Sequence, residues 1–385
     1  MRIGFVVNDS LPGMGMPCSG QGLRAWGLIQ GLRGRGIDAR ALVRHATLGA
    51  RFQRWKDLSV RRFPDWLTIV NHENIGSVLA EFDVVVFHNW GAAANVAKPG
   101  GSDVRFVYDF FSATLVEHAF ISSEPEYLDR IRRRKHEILE QCDLFFANGP
   151  GRRRYAQAYL SSLGIETQVH DIPTSLPWLG DTGGAAAAAE TGPVLVGGYR
   201  QEWTETIGDD VLAALARALP DRAVVSVGAG QHYHFGPRDG TAGETADGTA
   251  LAGAEPSGPP ENLVTYDVLN FEDYAALGRS AAVFVDVSPL NEERLMSFST
   301  RGILSVALGC PVIHNAETDL GALLRRSGAG VPVSRADGDL TAELLIARVR
   351  AGLDPGRREN CHRLWQDSFD ADRGAADLVR LVEHG

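Results

Sequence analysis

The chain has 385 residues, 44% apolar and 22% charged, which is the make-up of an ordinary globular protein. That length exceeds what a single hydrophobic core usually serves, so two domains are expected. A formal charge of −10 and a pI near 5.6 argue against a nucleic-acid partner, because affinity for phosphate backbones needs clustered Lys and Arg.

Two basic runs depart from that balance, Arg132 to Lys135 and Arg152 to Arg154. A solvated helix face is the simpler reading of both, and contact with phosphate or acidic lipid is the other. No apolar stretch is long enough to span a bilayer, so integral membrane association is not expected. Met1-Arg-Ile-Gly-Phe-Val-Val reads as a buried first strand and not as a targeting peptide, which makes the cytoplasm the expected location. The four cysteines, Cys18, Cys142, Cys310 and Cys361, lack C-x-x-C or His spacing suited to zinc and are expected as reduced thiols.

In chain order, residues 2–7 form the first strand, followed by a Gly, Pro and Ser-rich loop over 8–22. A helix follows over 23–35, with Leu23, Trp26, Leu28, Ile29 and Leu32 at helical intervals. Strands are predicted over 39–43, 83–88, 104–108 and 144–147, and a helix over 124–141. A low-complexity stretch over 181–192 reads as a linker, with a short poly-Ala helix as the alternative. A second alternation then runs through strands at 193–198, 223–227, 263–266, 283–287, 311–314 and 331–333. Its helices fall over 209–219, 271–277, 300–308 and 320–327, and the Gly, Ala and Thr-rich residues 236–260 read as a mobile loop.

This pattern predicts an α/β protein with an N-terminal domain over 1–172, a linker over 173–192, a C-terminal domain over 193–357 and a helical tail over 358–385 that packs back. Sequential Rossmann-like halves joined in this way describe the GT-B architecture, with a cleft between the domains. Periplasmic binding proteins, epimerases and dehydrogenases share the coarse pattern, so function has to come from sites.

Ser19-Gly20-Gln21-Gly22-Leu23-Arg24 lies between the first strand and helix, where glycines let a ligand approach backbone N–H groups at a positive helix end. A tight turn is the structural alternative. Arg24 stands in the first turn, where a cation opposes the helix dipole, so an anion contact accounts for its position.

From Ser19 to Ala39 the chain resembles the opening loop and helix of family 4-type glycosyltransferases. Phe106-Val-Tyr-Asp-Phe-Phe-Ser-Ala-Thr-Leu-Val-Glu, Cys142-Asp-Leu-Phe-Phe-Ala-Asn-Gly, Val194-Leu-Val-Gly-Gly-Tyr-Arg and Ser297 to His314 resemble later segments of that family, in order. The resemblance implies a donor nucleotide-sugar held by the C-terminal domain, retention of anomeric configuration and no cofactor beyond that co-substrate. It assigns Gly198 and Arg200 to the donor diphosphate. Ser299, Thr300 and Arg301 add a hydroxyl cap, backbone N–H groups and a guanidinium at a predicted helix start. The family's Glu-x7-Glu element falls here at Met296 and Leu304, which cannot hydrogen-bond a ribose; Glu292 or Glu293 is the candidate replacement.

On the acceptor side, His88-Asn89-Trp90 ends one strand and Asp109 the next, with Glu117 and His118 following. These groups could orient or deprotonate an acceptor hydroxyl, amine or thiol. Asp286-Val287-Ser288 carries a single carboxylate, so a metal-independent reaction is expected. The acceptor is expected to be a small molecule or a glycan precursor. A sugar-nucleotide epimerase using Asp109 and Glu117, and a non-catalytic nucleotide-sugar-binding protein, are the alternatives.

Overall fold

A computed structural model describes the chain except residues 55–62, 89, 94–95, 123, 181–187, 189, 198–206, 229–230, 233–235, 238–258, 267 and 339. The first sheet comprises β1 (Arg2–Val7), β2 (Asp38–Arg44), β3 (Leu67–Val70), β4 (Val84–Phe87), β5 (Arg105–Phe110), β6 (Leu144–Ala147) and β7 (Val169–Asp171). Its helices are α1 (Gly20–Gly34), α2 (His45–Arg54), α3 (Ile75–Leu79), α4 (Trp90–Ala93), α5 (Thr114–Ile121), α6 (Pro125–Leu139) and α7 (Pro150–Ser162). All pairings are parallel, in the order β3-β2-β1-β4-β5-β6-β7.

The second sheet starts with β8 (Val194–Gly197), α8 (Asp209–Ala218) and β9 (Val224–Val227), then a two-stranded ribbon of β10 (Gln231–His232) and β11 (Gly236–Pro237). It continues with β12 (Leu263–Tyr266), α9 (Phe271–Ser280), β13 (Val283–Asp286), α10 (Glu292–Met296), α11 (Thr300–Ala307), β14 (Val312–Asn315), α12 (Asp319–Ser327), β15 (Gly330–Val333) and α13 (Ala342–Gly352). Its order, β12-β9-β8-β13-β14-β15, repeats that of the first sheet without a counterpart of β7. Two doubly wound Rossmann-like domains result, each with its order reversing at one point: between β1 and β4, and between β8 and β13.

The strands are apolar on both sides because helices cover both faces of each sheet. In β1, Ile3, Phe5 and Val7 join one core while Val6 joins the core on the opposite face. Edge strands are less apolar: Ile69 of β3 is exposed and β7 reads Val-His-Asp.

The tail forms α14 (Gly356–Ser368) and α15 (Ala371–His384). It returns to the first domain because α1 carries a flat groove. A Cβ on Gly27 would lie 1.8 Å from the Ser175 carbonyl oxygen, and one on Gly31 would lie 2.0 Å from that of Ala371. The crossing is pinned by Leu176, whose N–H donates to the Phe369 carbonyl at 2.8 Å and whose carbonyl accepts the Trp365 indole N–H at 2.7 Å. Residues 238–258, which make up most of the predicted mobile loop, lie outside the described residues.

Candidate active site

In open parallel sheets of this order, ligands bind beyond the carboxyl ends of the strands at the point of reversal. The residues at those points are therefore the ones to inspect. In the first domain they are the loop after β1 and His88 after β4; in the second they are Gly197, which ends β8, and Asp286, which ends β13.

Asp9, in the loop after β1, is fully buried. Its carboxylate accepts the Ser19 N–H at 3.0 Å, the Gly22 N–H at 3.1 Å and the Ser19 hydroxyl. The first helix end thus already holds an anion supplied by the chain itself. This revises the expectation for Gly22, whose N–H is used and whose missing side chain is required by packing: a Cβ there would lie 2.1 Å from the Ser10 carbonyl oxygen. Gly20 is different. A Cβ on it would meet Phe111 and the Thr300 hydroxyl, each at 2.9 Å, so this glycine lets the start of α1 approach the start of α11 in the other domain.

Arg24 also departs from its expected role. It is wholly buried, donating from Nε to Asp109 Oδ2 at 2.5 Å and from Nη2 to Oδ1 at 3.0 Å, with Asn148 and Thr174 near Nη1. Its anion is thus an internal carboxylate. His88 Nδ1 lies 2.6 Å from the same Asp109 oxygen, and its Nε2 is buried with no hydrogen-bond partner. Burial pushes the Asp109 carboxyl up, but the Arg24 charge and the His88 hydrogen bond overcome it and hold it below the usual value. Burial also outweighs Asp109 at His88 and lowers its pKa, so the imidazole is neutral near pH 7.

Glu117 and His118 do not join that cluster. His118 Nδ1 is 2.6 Å from the Tyr127 hydroxyl. Glu117 is half-buried on α5, and burial, reinforced by Glu293 of the second domain, raises its carboxyl to about 7. Lys135 and Arg152, which the sequence places on solvated helix faces, are instead buried beside it. The Lys135 ammonium lies 4.9 Å from the Phe110 ring centre, 5.7 Å from that of Tyr155 and 4.5 Å from that of Tyr159. Burial, offset in part by Glu117, lowers the amine to about 7. Arg153 and Arg154 are exposed, as a solvated face requires.

In the second domain the donor-side prediction converges on Asp286. Ser299 donates from Oγ to Asp286 Oδ2 at 2.6 Å and accepts the Gly302 N–H, capping α11. Arg301 lies 3.1 Å from Asp286 Oδ1 with 29% of its side chain exposed, and Arg294 and His314 complete the cluster. Burial opposes the Asp286 charge, but Arg294 and Arg301 dominate and hold the carboxyl well below its usual value. Thr300 stands partly exposed at the helix start, opposite Gly20. Sequence reading missed the roles of Asp9, Asn148, Asp286, Arg294 and His314; a polar residue at or just beyond the end of an otherwise apolar strand was the available signal for all but Arg294, which lies on α10.

Glu293, the candidate ribose ligand, instead accepts from Arg152 Nη2 at 3.0 Å across the domain boundary. Other contacts cross the same boundary. Gly151 N–H donates to Asp319 at 2.8 Å, Asn148 to the Phe298 carbonyl at 3.2 Å and Gly13 N–H to Glu272 at 2.8 Å. Leu304 is buried in the helix core. Gly198, Arg200 and Asn89 lie outside the described residues. Among the described residues, no group of three or more His, Cys, Asp or Glu side chains could hold a metal ion, and no helix is long and apolar enough to cross a membrane.

Solved structures of the same architecture match the chain from end to end. Sucrose-phosphate synthase from Thermosynechococcus elongatus covers 100% of this chain and 98% of its own, at 16% identity and a TM-score of 0.60. The chain has a GT-B glycosyltransferase fold. The Anabaena protein HepE, solved with UDP-glucose, covers 100% of this chain and 99% of its own at 13% identity and a TM-score of 0.60. AviGT4, a glycosyltransferase involved in avilamycin A biosynthesis, covers 100% and 97% at 16% identity and a TM-score of 0.56. No family model and no curated protein sequence matches the chain. Gly20 of the first domain and Thr300 of the second lie in contact between the two strand-end clusters' domains.

Proposed function

We propose that this GT-B protein transfers a sugar from a nucleoside-diphosphate sugar to a small soluble acceptor, with retention and without a metal ion. The observation that carries this reading is the start of α11. There Ser299 caps the helix, Arg301 is partly exposed beside it, and Thr300 between them faces Gly20 of the opposite domain. A leaving diphosphate needs preorganised positive charge, and a helix amino end with an adjoining guanidinium supplies it. Asp286 holds Arg301 in place by accepting one edge of its guanidinium.

On the acceptor side, Glu117 is the best-suited proton carrier. It is half-buried at the cleft, and burial has brought its carboxyl to about 7, close to the value a general base needs at neutral pH. The Asp109, His88 and Arg24 cluster then acts beneath the site, fixing the ends of β4 and β5. Gly198 and Arg200 are proposed to complete the diphosphate site on the loop after β8.

Thermal unfolding with UDP, GDP, dTDP, ADP and CDP tests the donor assignment. A nucleotide at about 100 times its dissociation constant adds roughly 2.7 kcal/mol of stability, which shifts the midpoint measurably. UDP is the first to try, since HepE was solved with UDP-glucose. No shift with any of the five would remove the donor assignment.

A further inference from the structure

The ends of β1, β4 and β5 stand side by side at the reversal of the first sheet. Asp9 and Ser19 follow β1, His88 follows β4, and Phe111 follows β5. Phe111 thus sets an aromatic ring among polar groups at the edge where ligands bind. Its neighbour Phe110 is fully buried and packs on the rings of Tyr108 and Phe145. Successive side chains of a strand point to opposite faces, so Phe111 falls on the other face, with Val107 and Asp109, towards α1. It is half-buried there, and among the described residues none of the four apolar cores includes it.

The ring reaches the domain boundary. Its tip, Cζ, and the Thr300 hydroxyl each lie 2.9 Å from the point where a Cβ on Gly20 would stand. Gly20 carries no side chain, and the ring takes up that room between the starts of α1 and α11, one helix from each domain. Thr300 and Arg301 at the start of α11 are the residues assigned above to the donor diphosphate. The sugar is bonded directly to that diphosphate. For transfer it has to lie between α11 and the first domain, where Glu117 stands on the segment that follows Phe111. Phe111 cannot hydrogen-bond a sugar hydroxyl. A pyranose ring also carries C–H groups on its faces, and these pack against an aromatic ring as other apolar surface does.

We propose that Phe111 is a specificity-determining residue whose ring packs against the transferred sugar of the donor. The inference rests on the transferase reading above, with the diphosphate at the start of α11. The contact is made with the sugar and not with the nucleotide, so it adds to the affinity for the sugar nucleotide alone. An aromatic contact of this kind changes affinity by about three- to tenfold.

Titration calorimetry with matched pairs reads the increment due to the sugar: UDP against UDP-glucose, dTDP against dTDP-glucose, and GDP against GDP-mannose. In the wild type one pair is expected to show tighter binding of the sugar nucleotide. Phe111→Ala and Phe111→Leu should reduce that ratio by about three- to tenfold and leave the affinity for the bare nucleotide unchanged. The leucine variant keeps an apolar side chain and removes only the ring, whereas Phe111→Tyr keeps the ring and should keep the ratio. A ratio unchanged in the alanine and leucine variants overturns the inference. So does an equal loss of affinity for nucleotide and sugar nucleotide, which is the result of a purely structural role. A wild type that binds a nucleotide no more tightly when its sugar is attached overturns the inference and leaves the donor site standing. A wild type that binds no member of any pair removes the donor assignment, and this inference with it.

Discussion

Arg24 donates to Asp109 at 2.5 Å with both side chains wholly excluded from solvent, and this bond ties the first helix to the end of β5. Removing one member of a buried pair leaves the other uncompensated, which costs about 3–5 kcal/mol. Arg24→Met is therefore expected to lower stability by that amount near neutral pH, read by urea unfolding. Asp109 is held below its ordinary value in the folded chain, so its contribution is present above that value and lost as pH falls through the depressed one. The gap between wild type and Arg24→Met should accordingly narrow below about pH 4, and an equal loss at about pH 7 and about pH 2 would contradict the assignment.

The two glycines before Arg24 should separate folding from closure. Gly22→Ala forces a Cβ onto a backbone oxygen 2.1 Å away, a clash that only a shift of the main chain can relieve. Loss of several kcal/mol is expected, at the upper end of overpacking costs of about 1–3 kcal/mol or beyond. Gly20→Ala meets the tip of Phe111 and the Thr300 side chain instead, and these can separate by opening the cleft. Its melting temperature should stay near wild type while nucleotide-sugar turnover falls; the reverse pattern in the two variants would refute this division.

Arg301→Ala should weaken nucleotide binding more than it weakens the fold. A hydrogen bond to a charged group contributes about 1.5–3 kcal/mol, which corresponds to a loss of roughly ten- to a hundredfold in affinity by titration calorimetry. Asp286 keeps Arg294, His314 and Ser299 as partners in this variant, so its charge stays compensated. An unchanged nucleotide affinity would place the donor diphosphate elsewhere.

Much of the architecture was legible in the sequence because central strands and long helices have strong periodic patterns. The expected first strand at residues 2–7 and the strand at 144–147 coincide with β1 and β6. The strands missed in the two sheets, β3 and β7, are edge strands of four and three residues with mixed polarity, where one open side removes the demand for apolar residues, and the two-residue strands β10 and β11, the latter at the start of the expected mobile loop, are too short to carry a pattern. The tail appeared as a single helical stretch, but Phe369 and Asp370 break it to let the chain pair with Leu176. Site residues were less legible. Arg24 and Arg152 have the composition of ligand or surface groups, and only the fold shows that carboxylates on distant elements, Asp109 and Glu293, receive them. Charge in a sequence does not carry the address of its partner.

Lys135 gives the sharpest test of how far burial outweighs local composition, since its neighbours in sequence, Arg133 and Arg134, remain exposed. Its amine has no hydrogen-bond partner and is compensated by aromatic faces, worth about 2 kcal/mol where desolvated, and by Glu117. Burying an ammonium without full pairing costs several kcal/mol, so the apolar, similarly sized Lys135→Met should match or exceed wild-type stability at neutral pH. Arg152 remains beside Glu117 in that variant and limits the disturbance there. The pH dependence fixes the cause. A lysine lowered to about 7 from the ordinary 10.5 destabilises the fold progressively as pH falls between those values, because the unfolded chain takes the proton first. The advantage of Lys135→Met should thus be largest near and below neutrality and shrink as pH rises towards about 10, when measured by urea unfolding across that range. A variant that is less stable than wild type at every pH would show that the ring cage holds the ammonium favourably, and the lowered pKa would then have to be abandoned.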